Sequence, residues 1–192
     1  MYYKITGDMG GEPNVYMQAL NNENARIRGG QLIKDLEDKG IDELPFRFQM
    51  NVRRNEDGTR QEPRMSTYYY ADEIMHKKLV EVITSVGVDN LQLFPAVISE
   101  QGQGTTNIIE DYVVVNVVGL VSCAAVDASD SLPFADGLFF NNLVIDPAKT
   151  GGLLMFRLAE SKMDVLVHEK VAKELMKHNF PYLVLIPLQQ VA

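Results

Sequence analysis

The clearest pattern along the chain lies in residues 146–188, where two apolar runs flank a segment whose apolar residues recur at helical spacing. The first run is residues 165–167, and the second is residues 183–188. Short apolar runs favour strands, whereas a recurrence of about three to four residues is typical of a helix. The pattern therefore predicts a strand, a helix and a strand over residues 163–188, after a turn-rich lead-in.

A second unit of the same kind is predicted at residues 66–97. Residues 66–70 are rich in β-forming side chains, Asp72 is placed to cap a helix, and Gly87 is placed to end it. Five apolar residues fall on one face of that helix: Met75, Leu79, Val82, Ile83 and Val86. Residues 91–97 then form the closing strand, with a proline that favours an edge or a strand end.

The two units share features that indicate a pseudo-repeat. With an offset of 96 residues, three residues of the first helix correspond to three of the second, namely Glu73, Lys77 and Leu79 to Glu169, Lys173 and Leu175. The closing strands also correspond if the second helix is shortened by about one turn. Two explanations stay open at this point, a true duplication and a chance similarity between two units built from common elements.

Weaker patterns occupy the rest of the chain. Residues 31–39 predict a short helix, and the alternation of residues 46–52 predicts a half-buried strand. The glycine-rich residues 99–107 predict a hairpin loop, because a phosphate loop needs a lysine and a following helix. Residues 112–118 are nearly all β-branched, which predicts a central strand covered on both faces.

The polar residues 53–63 are the best candidate for a boundary within the chain. They separate a loop-rich N-terminal portion, residues 1–62, whose role is open, from a domain of residues 63–192. The predicted fold class is α+β, with mixed sheets around the two strand-helix-strand units.

Hydropathy and cysteine content indicate a soluble cytoplasmic protein. The longest apolar stretch, residues 113–126, is interrupted by Asn116, Gly119 and Ser122, so neither a signal peptide nor a membrane span is predicted. Cys123 is the only cysteine, which excludes an intramolecular disulfide and is compatible with a reducing compartment.

The charge balance disfavours a nucleic-acid ligand. The chain carries 26 acidic and 18 basic side chains, for a formal net charge of −8. Such a field repels phosphate backbones and attracts basic surfaces. A basic protein partner is therefore allowed, although moderate acidity by itself also serves solubility.

Candidate catalytic residues are few. The three histidines lie in no metal-ligand pattern, and only His168, next to Glu169, falls at a predicted strand-to-helix junction. A carboxylate at a helix start is explained by the helix dipole. A small hydrolase that uses His168 with Asp146 or Glu169 stays open as an alternative function.

Two other charged features have structural explanations. Asp127, Asp130 and Asp136 lack the glycine and the terminal glutamate of a calcium loop, so a solvated acidic turn is predicted. Arg157 lies in an apolar run and needs a partner if it is buried, for which Asp146 or Glu160 is expected, or else it faces water. No metal or cofactor site is predicted.

Several runs together resemble the bacterial "immunity protein eleven" family of polymorphic-toxin systems. The runs are NLVIDPAK at 142–149, FRLA at 156–159, VLVHEKV at 165–171, LQLFP at 91–95, YVVVNVV at 112–118 and VD at 126–127. The resemblance covers roughly residues 66–188 and leaves the first 60 residues without a family motif.

The resemblance implies a non-enzymatic antidote that binds a cognate toxin, in some systems an HNH-type nuclease, in the cytoplasm of the producing cell. An acidic inhibitor suits a toxin with a basic surface. The residues expected to contribute to binding are Glu110, Asp111, Asp127, Asp130 and Asp136. A structural oligomerisation module is a further alternative, although nothing in the sequence indicates a homo-oligomer.

Overall fold

The computed structural model describes residues 1–7, 13–20, 29–36, 41, 44–69, 71, 73–101, 106–135 and 137–191. Within these ranges the fold consists of β-sheets and two short helices, α1 (Lys77–Ser85) and α2 (Glu169–Leu175). The α+β class is confirmed, with strands well in excess of helices. The strands are β1 (Tyr2–Gly7), β2 (Val15–Ala19), β3 (Phe46–Val52), β4 (Tyr68–Tyr69), β5 (Ile74–His76), β6 (Leu91–Gln101), β7 (Thr106–Ile109), β8 (Tyr112–Val117), β9 (Leu120–Val121), β10 (Asp130–Phe134), β11 (Gly137–Asn142), β12 (Val144–Ile145), β13 (Met155–Leu158), β14 (Val165–His168), β15 (Leu183–Pro187) and β16 (Gln189–Gln190).

A five-stranded sheet brings the two ends of the chain together. Its strand order is β15-β1-β14-β13-β9, and β1 is antiparallel to both of its neighbours. Tyr3 therefore lies opposite Val167 on one side and Pro187 on the other. A strand from the start of the chain completes a sheet built from its end.

A seven-stranded sheet contains the middle of the chain. Its order is β2-β3-β6-β8-β5-β4, with β7 paired to β6. The predicted strand at residues 46–52 is confirmed as β3, and the predicted central strand at residues 112–118 is confirmed as β8, which is almost wholly buried. The hairpin predicted across residues 99–107 is confirmed by the pairing of β6 with β7, and residues 102–105 lie outside the described residues.

Both sheets include strands from residues 1–62. β1 belongs to the five-stranded sheet, whereas β2 and β3 belong to the seven-stranded sheet. The division of the chain into residues 1–62 and 63–192 stays a prediction, and any fragment cut at this point would lose strands from both sheets.

The short helix predicted at residues 31–39 is wrong for residues 31–36, which form no helix, and residues 37–39 lie outside the described residues. The Ile33 amide donates to Gln92 Oε1 at 2.8 Å, and Gln92 Nε2 donates to the Ile33 carbonyl at 2.9 Å. A side chain from β6 thus satisfies both backbone groups that a helix would use. Tertiary contact overrides local helix propensity here.

Three hydrophobic clusters hold the layers together. The largest contains both helices and strands of both sheets, including Leu79 and Ile83 of α1, Val171 of α2, Val115 of β8 and Val167 of β14. A second cluster lies on the seven-stranded sheet and a third on the five-stranded sheet. Both helices therefore pack in the cluster that lies between the two sheets, and the third cluster contains no residue of either helix.

The two helices begin in matching ways. His76 Nδ1 accepts the Lys78 amide at 3.1 Å, and His168 Nδ1 accepts the Lys170 amide at 3.2 Å, so each histidine caps its helix. Each imidazole also meets a tyrosine edge to face at 5.1 Å, His76 with Tyr112 and His168 with Tyr2. The predicted cap, Asp72, lies outside the described residues, and α1 begins only at Lys77.

The geometric equivalents lie 92 residues apart rather than 96, as His76 and His168 show. β8 lies between β5 and β6 as β1 lies between β14 and β15. The predicted equivalence of Glu73 with Glu169 is wrong, because Glu73 precedes β5 in a buried turn while Glu169 is the first residue of α2. The duplication itself stays a prediction.

Candidate functional site

Four of the five acidic residues expected to bind a partner lie in the described part of the chain, where they are exposed and fall into two groups. Glu110 and Asp111 form the turn between β7 and β8, and the Asp111 carbonyl accepts the Lys77 amide at the start of α1. Asp127 lies in a single 3-10 turn, Val126–Ala128, and Asp130 is the first residue of β10, where it accepts from Asn141 Nδ2 at 3.2 Å.

The two acidic groups lie on different elements: Glu110 and Asp111 join two strands of the seven-stranded sheet, whereas Asp127 and Asp130 lie just before and at the start of the β10–β11 hairpin. No hydrogen bond or ion pair in the described part of the chain links the Glu110–Asp111 turn to the residues around Asp130. Asp136 lies outside the described residues. Among the residues that the structure describes, no group of three or more histidine, cysteine or acidic side chains could hold a metal ion.

His168 is engaged in structural contacts. Its Nδ1 caps α2, its ring packs against Tyr2, and its pKa is lowered, chiefly by burial and also by the nearby N-terminal ammonium. Glu169 pairs with Lys173 at 2.9 Å, and Asp146 accepts the Ala148 amide at 3.0 Å. The two carboxylates named for the hydrolase hypothesis therefore have other partners, and neither is bonded to the imidazole.

Arg157 has a buried partner that the sequence analysis did not identify. Its Nη1 and Nη2 donate to Glu73 Oε1 and Oε2 at 3.1 and 3.0 Å, and Nη1 also donates to the Lys162 carbonyl. Both expected partners are wrong: Glu160 accepts from Ser122 Oγ at 2.6 Å, and Asp146 lies beside Lys149. The reading in which Arg157 faces water is also wrong, because its side chain is fully buried.

An exposed apolar surface lies on the β10–β11 hairpin, which pairs with no other strand of the described chain. Leu132, Phe134 and Phe139 are 57%, 56% and 50% exposed, and the two phenyl rings meet edge to face at 6.5 Å. Large exposed apolar side chains that lie together mark interaction sites more often than isolated ones do. This hairpin surface is therefore the strongest candidate for a docking site.

A groove separates the hairpin from the five-stranded sheet. Its volume is about 280 Å³, and its lining residues come from the hairpin, β1, the turn before β14, and Ile186 of β15. Lys4 and Asp164 form an ion pair on its sheet side, where Asp164 is nearly buried. The groove is thus largely apolar, and Thr6, Ser161 and Lys162 are its other polar lining residues.

Two contacts fix the hairpin beside the sheet. The Leu138 amide donates to the Glu160 carbonyl at 2.7 Å. A side chain at Gly137 would place its Cβ 2.7 Å from the same carbonyl oxygen, so only glycine allows this approach. Phe140, on the covered face of β11, belongs to the third hydrophobic cluster. The hairpin is therefore anchored through one face while its outer aromatic side chains stay exposed.

A second, open cleft of about 660 Å³ lies on the seven-stranded sheet. Arg53, Arg54 and Arg60 line it, but Arg60 pairs with Glu100 and Arg54 Nη1 donates to the Gly58 carbonyl at 2.9 Å. Two of the three guanidinium groups thus already have partners within the protein. The clustering of five of the eight arginines within residues 47–64 is the sequence signal that could have located this cleft.

Sequence reasoning also missed the aromatic hairpin. Its signal is the close spacing of Leu132, Phe134, Phe139 and Phe140 around a turn with Gly137. This signal is weak, because apolar residues in short runs are ordinarily assigned to the core. Only the tertiary structure shows that Leu132, Phe134 and Phe139 are exposed while Phe140 is buried.

None of the helices in the described part of the chain is long and apolar enough to cross a membrane. A sequence model described as "Immunity protein family (Imm11)" matches residues 1–188 of this chain. The match includes the first 60 residues, which the resemblance noted from sequence runs did not cover. No curated protein matches the chain.

Proposed function

Because the chain belongs to the Imm11 immunity protein family, we propose that it binds a cognate bacterial toxin and neutralises it in the cytoplasm of the cell that makes both. The observation that carries this proposal is the family match over nearly the whole chain. The exposed apolar hairpin supports it, since a protein that works by binding needs an accessible surface of this kind.

The mode of action we propose is occlusion of the toxin by a non-enzymatic inhibitor. His168 caps a helix, and Asp146 and Glu169 are held by other groups, so no observed geometry favours the hydrolase alternative. A bound protein blocks an active site by covering it, which requires affinity and shape but no reactive group.

The toxin we propose carries a basic surface, as a nuclease does. The net charge of −8 and the exposed Glu110, Asp111, Asp127 and Asp130 support this choice. Opposite charges steer two proteins together and raise the association rate. Asp136 belongs to the proposed acidic set, although it lies outside the described residues.

The experiment is co-expression with the toxin encoded next to this chain. Cells that make both proteins should grow, cells that make the toxin alone should stop growing, and the purified proteins should co-elute as a complex. A nucleic-acid cleavage assay with the purified toxin then tests the nuclease assignment separately. Growth arrest despite co-expression, with no complex on gel filtration, would reject the proposed function.

We further propose that the two units around α1 and α2 arose by duplication. The matched histidine caps, 92 residues apart, and the matched tyrosine contacts support this. Sequences of other family members provide the test. A duplication predicts related residue types at paired positions across the family, whereas unrelated types would indicate convergence.

A further inference from the structure

The outer edge of β15 has backbone groups that face away from the sheet. The Leu188 amide donates to the Tyr2 carbonyl at 3.0 Å, and bonded pairs alternate along an antiparallel ladder. The pairs Ile186–Lys4 and Val184–Thr6 are therefore the bonded ones. The amide and carbonyl of Leu185 point outward, where the described chain supplies no further strand.

Other carbonyls extend this open edge in both directions. Leu183 and Pro187 have the same alternation as Leu185, so their carbonyls also point outward. The Leu183 amide donates to the Phe180 carbonyl at 3.3 Å, and Pro187 has no amide hydrogen. The edge thus offers one donor and three acceptors, a short row that the backbone of an extended peptide can satisfy.

The same strand forms one wall of the groove under the hairpin. Ile186 lines the groove and is 44% exposed, while Phe134 and Phe139 line it from the other side. A peptide paired to the β15 edge would turn alternate side chains toward this groove. Backbone hydrogen bonding at the edge and an apolar groove for side chains therefore occur at one place.

The exposed acids at the base of the hairpin favour a basic residue on one side of the occupant. Lys4 pairs with Asp164 on the groove wall, and the exposed Lys162 also lines the groove. Asp130 and Asp127 are exposed at the base of the β10–β11 hairpin, the end opposite the turn that borders the groove. Apolar side chains complement the interior, and a basic side chain complements the exposed acids at the base of the hairpin. An extended apolar segment with a lysine or arginine beside it fits both features.

We propose that the groove between the β10–β11 hairpin and the β15 edge receives such a segment of the toxin as an added strand. Phe134, Phe139 and Ile186 hold the apolar side chains of this segment, and the backbone of Leu185 pairs with it. This proposal rests on the proposed function, because it takes the toxin as the occupant. The experiments below can reject this docking surface without rejecting the proposed function.

The first test measures affinity for the toxin by calorimetry. The double variant Phe134→Ser/Phe139→Ser should bind about 30-fold or more weakly, as central aromatic contacts commonly dominate an interface. Ile186→Lys should also weaken binding, because it places a cation beside the basic flank. Tyr16→Ser is the matched control, since Tyr16 is a 56% exposed aromatic residue on the other sheet.

The outcomes separate the two proposals. Circular dichroism and the urea midpoint must show that each variant is folded before its affinity is compared. If the wild-type chain binds the toxin and the hairpin variants bind as tightly as Tyr16→Ser does, the groove is rejected and the proposed function stands. If the wild-type chain itself does not bind, the proposed function is rejected.

The second test identifies the occupant. A photoreactive phenylalanine at position 139 should cross-link the toxin, and mass spectrometry should place the link in an extended apolar segment next to a lysine or arginine. A cross-link to a second copy of this chain, or to a helical or acidic part of the toxin, would overturn the assignment. The absence of any cross-link in a complex that forms normally would overturn it as well.

Discussion

Arg157 and Glu73 form a bidentate ion pair in which both side chains are fully buried, with nitrogen-to-oxygen distances of 3.1 and 3.0 Å. The two residues are 84 positions apart, one on β13 of the five-stranded sheet and the other just before β5 of the seven-stranded sheet. The pair therefore ties the two sheets together through charge-assisted hydrogen bonds.

Removal of one member of this pair should be strongly destabilising. Arg157→Met leaves the Glu73 carboxylate buried without its cation, and we expect a loss of about 3 to 5 kcal/mol in the free energy of unfolding. Urea denaturation measures it. Glu73→Gln/Arg157→Met should cost less than the sum of the two single variants, because the uncompensated charge is gone. If the stability loss of the double variant equals the sum of the two single losses, the two residues are not coupled.

A fragment of residues 63–192 should not fold by itself. It lacks β1, which pairs with both β14 and β15, and it lacks β3, which pairs with β6. We expect a fragment that binds a hydrophobic dye and gives poorly dispersed amide resonances. The full chain is the control, and the fragment mixed with a synthetic β1 peptide provides a rescue test. A cooperative unfolding transition of the fragment alone would establish the predicted division at residue 62.

His168 should make stability depend on pH. Its pKa is lowered from the ordinary value of 6.5 in the folded protein, mainly by burial and then by the N-terminal ammonium, with Glu169 opposing and Lys170 and Lys173 adding to the effect. The unfolded chain therefore binds the proton more readily, and the contribution of the neutral imidazole is complete above pH 6.5. It is lost as the pH falls through the lower, folded pKa.

The variant His168→Asn tests this pH dependence. Asparagine also caps helices but has no titrating group in this range. Chemical denaturation between about pH 5 and 8 should show a smaller loss of stability on acidification for the variant than for the wild-type chain. Equal pH dependence in the two proteins would contradict a role for the His168 imidazole.

Cys123 should be unreactive in the folded protein. Its side chain is fully buried, and burial raises the pKa of the thiol to about 12, with the charges of Glu160 and Asp146 acting in the same direction. The thiolate is the reactive form, so labelling of the native chain by a disulfide reagent at about pH 8 should be limited by the rate at which the folded structure around Cys123 opens. Denaturant should restore rapid labelling, and rapid labelling without denaturant would contradict the buried position.

The exposed acids should control the rate of association with the toxin. Replacement of Asp127 and Asp130 by alanine, or of Glu110 and Asp111, should slow association about tenfold at low ionic strength, with a smaller effect at high salt. Stopped-flow or surface-based kinetics measure it. The matched control is Glu81→Ala/Asp89→Ala, which removes two exposed acids outside the proposed set. An equal effect of all three pairs would indicate net charge alone rather than a local acidic face.

The hydrophobic pattern alone located most of the local structure. Residues 46–52, 112–117 and 183–187 form strands because their side chains alternate or are apolar throughout, and this property acts over neighbouring residues. The runs shared with the immunity family lie mainly in such strands and turns, so the family also followed from the sequence.

Tertiary structure decided which of these elements meet. A buried arginine such as Arg157 needs a carboxylate partner. Only the packing of the two sheets determines that this partner is Glu73 and not Glu160, which is nearer in sequence. β1 becomes an inner strand of its sheet, and residues 31–36 form no helix because the Gln92 side chain bonds the Ile33 backbone. Phe134 and Phe139 of the β10–β11 hairpin stay exposed. Each outcome depends on contacts between residues far apart in sequence, which local periodicity does not encode.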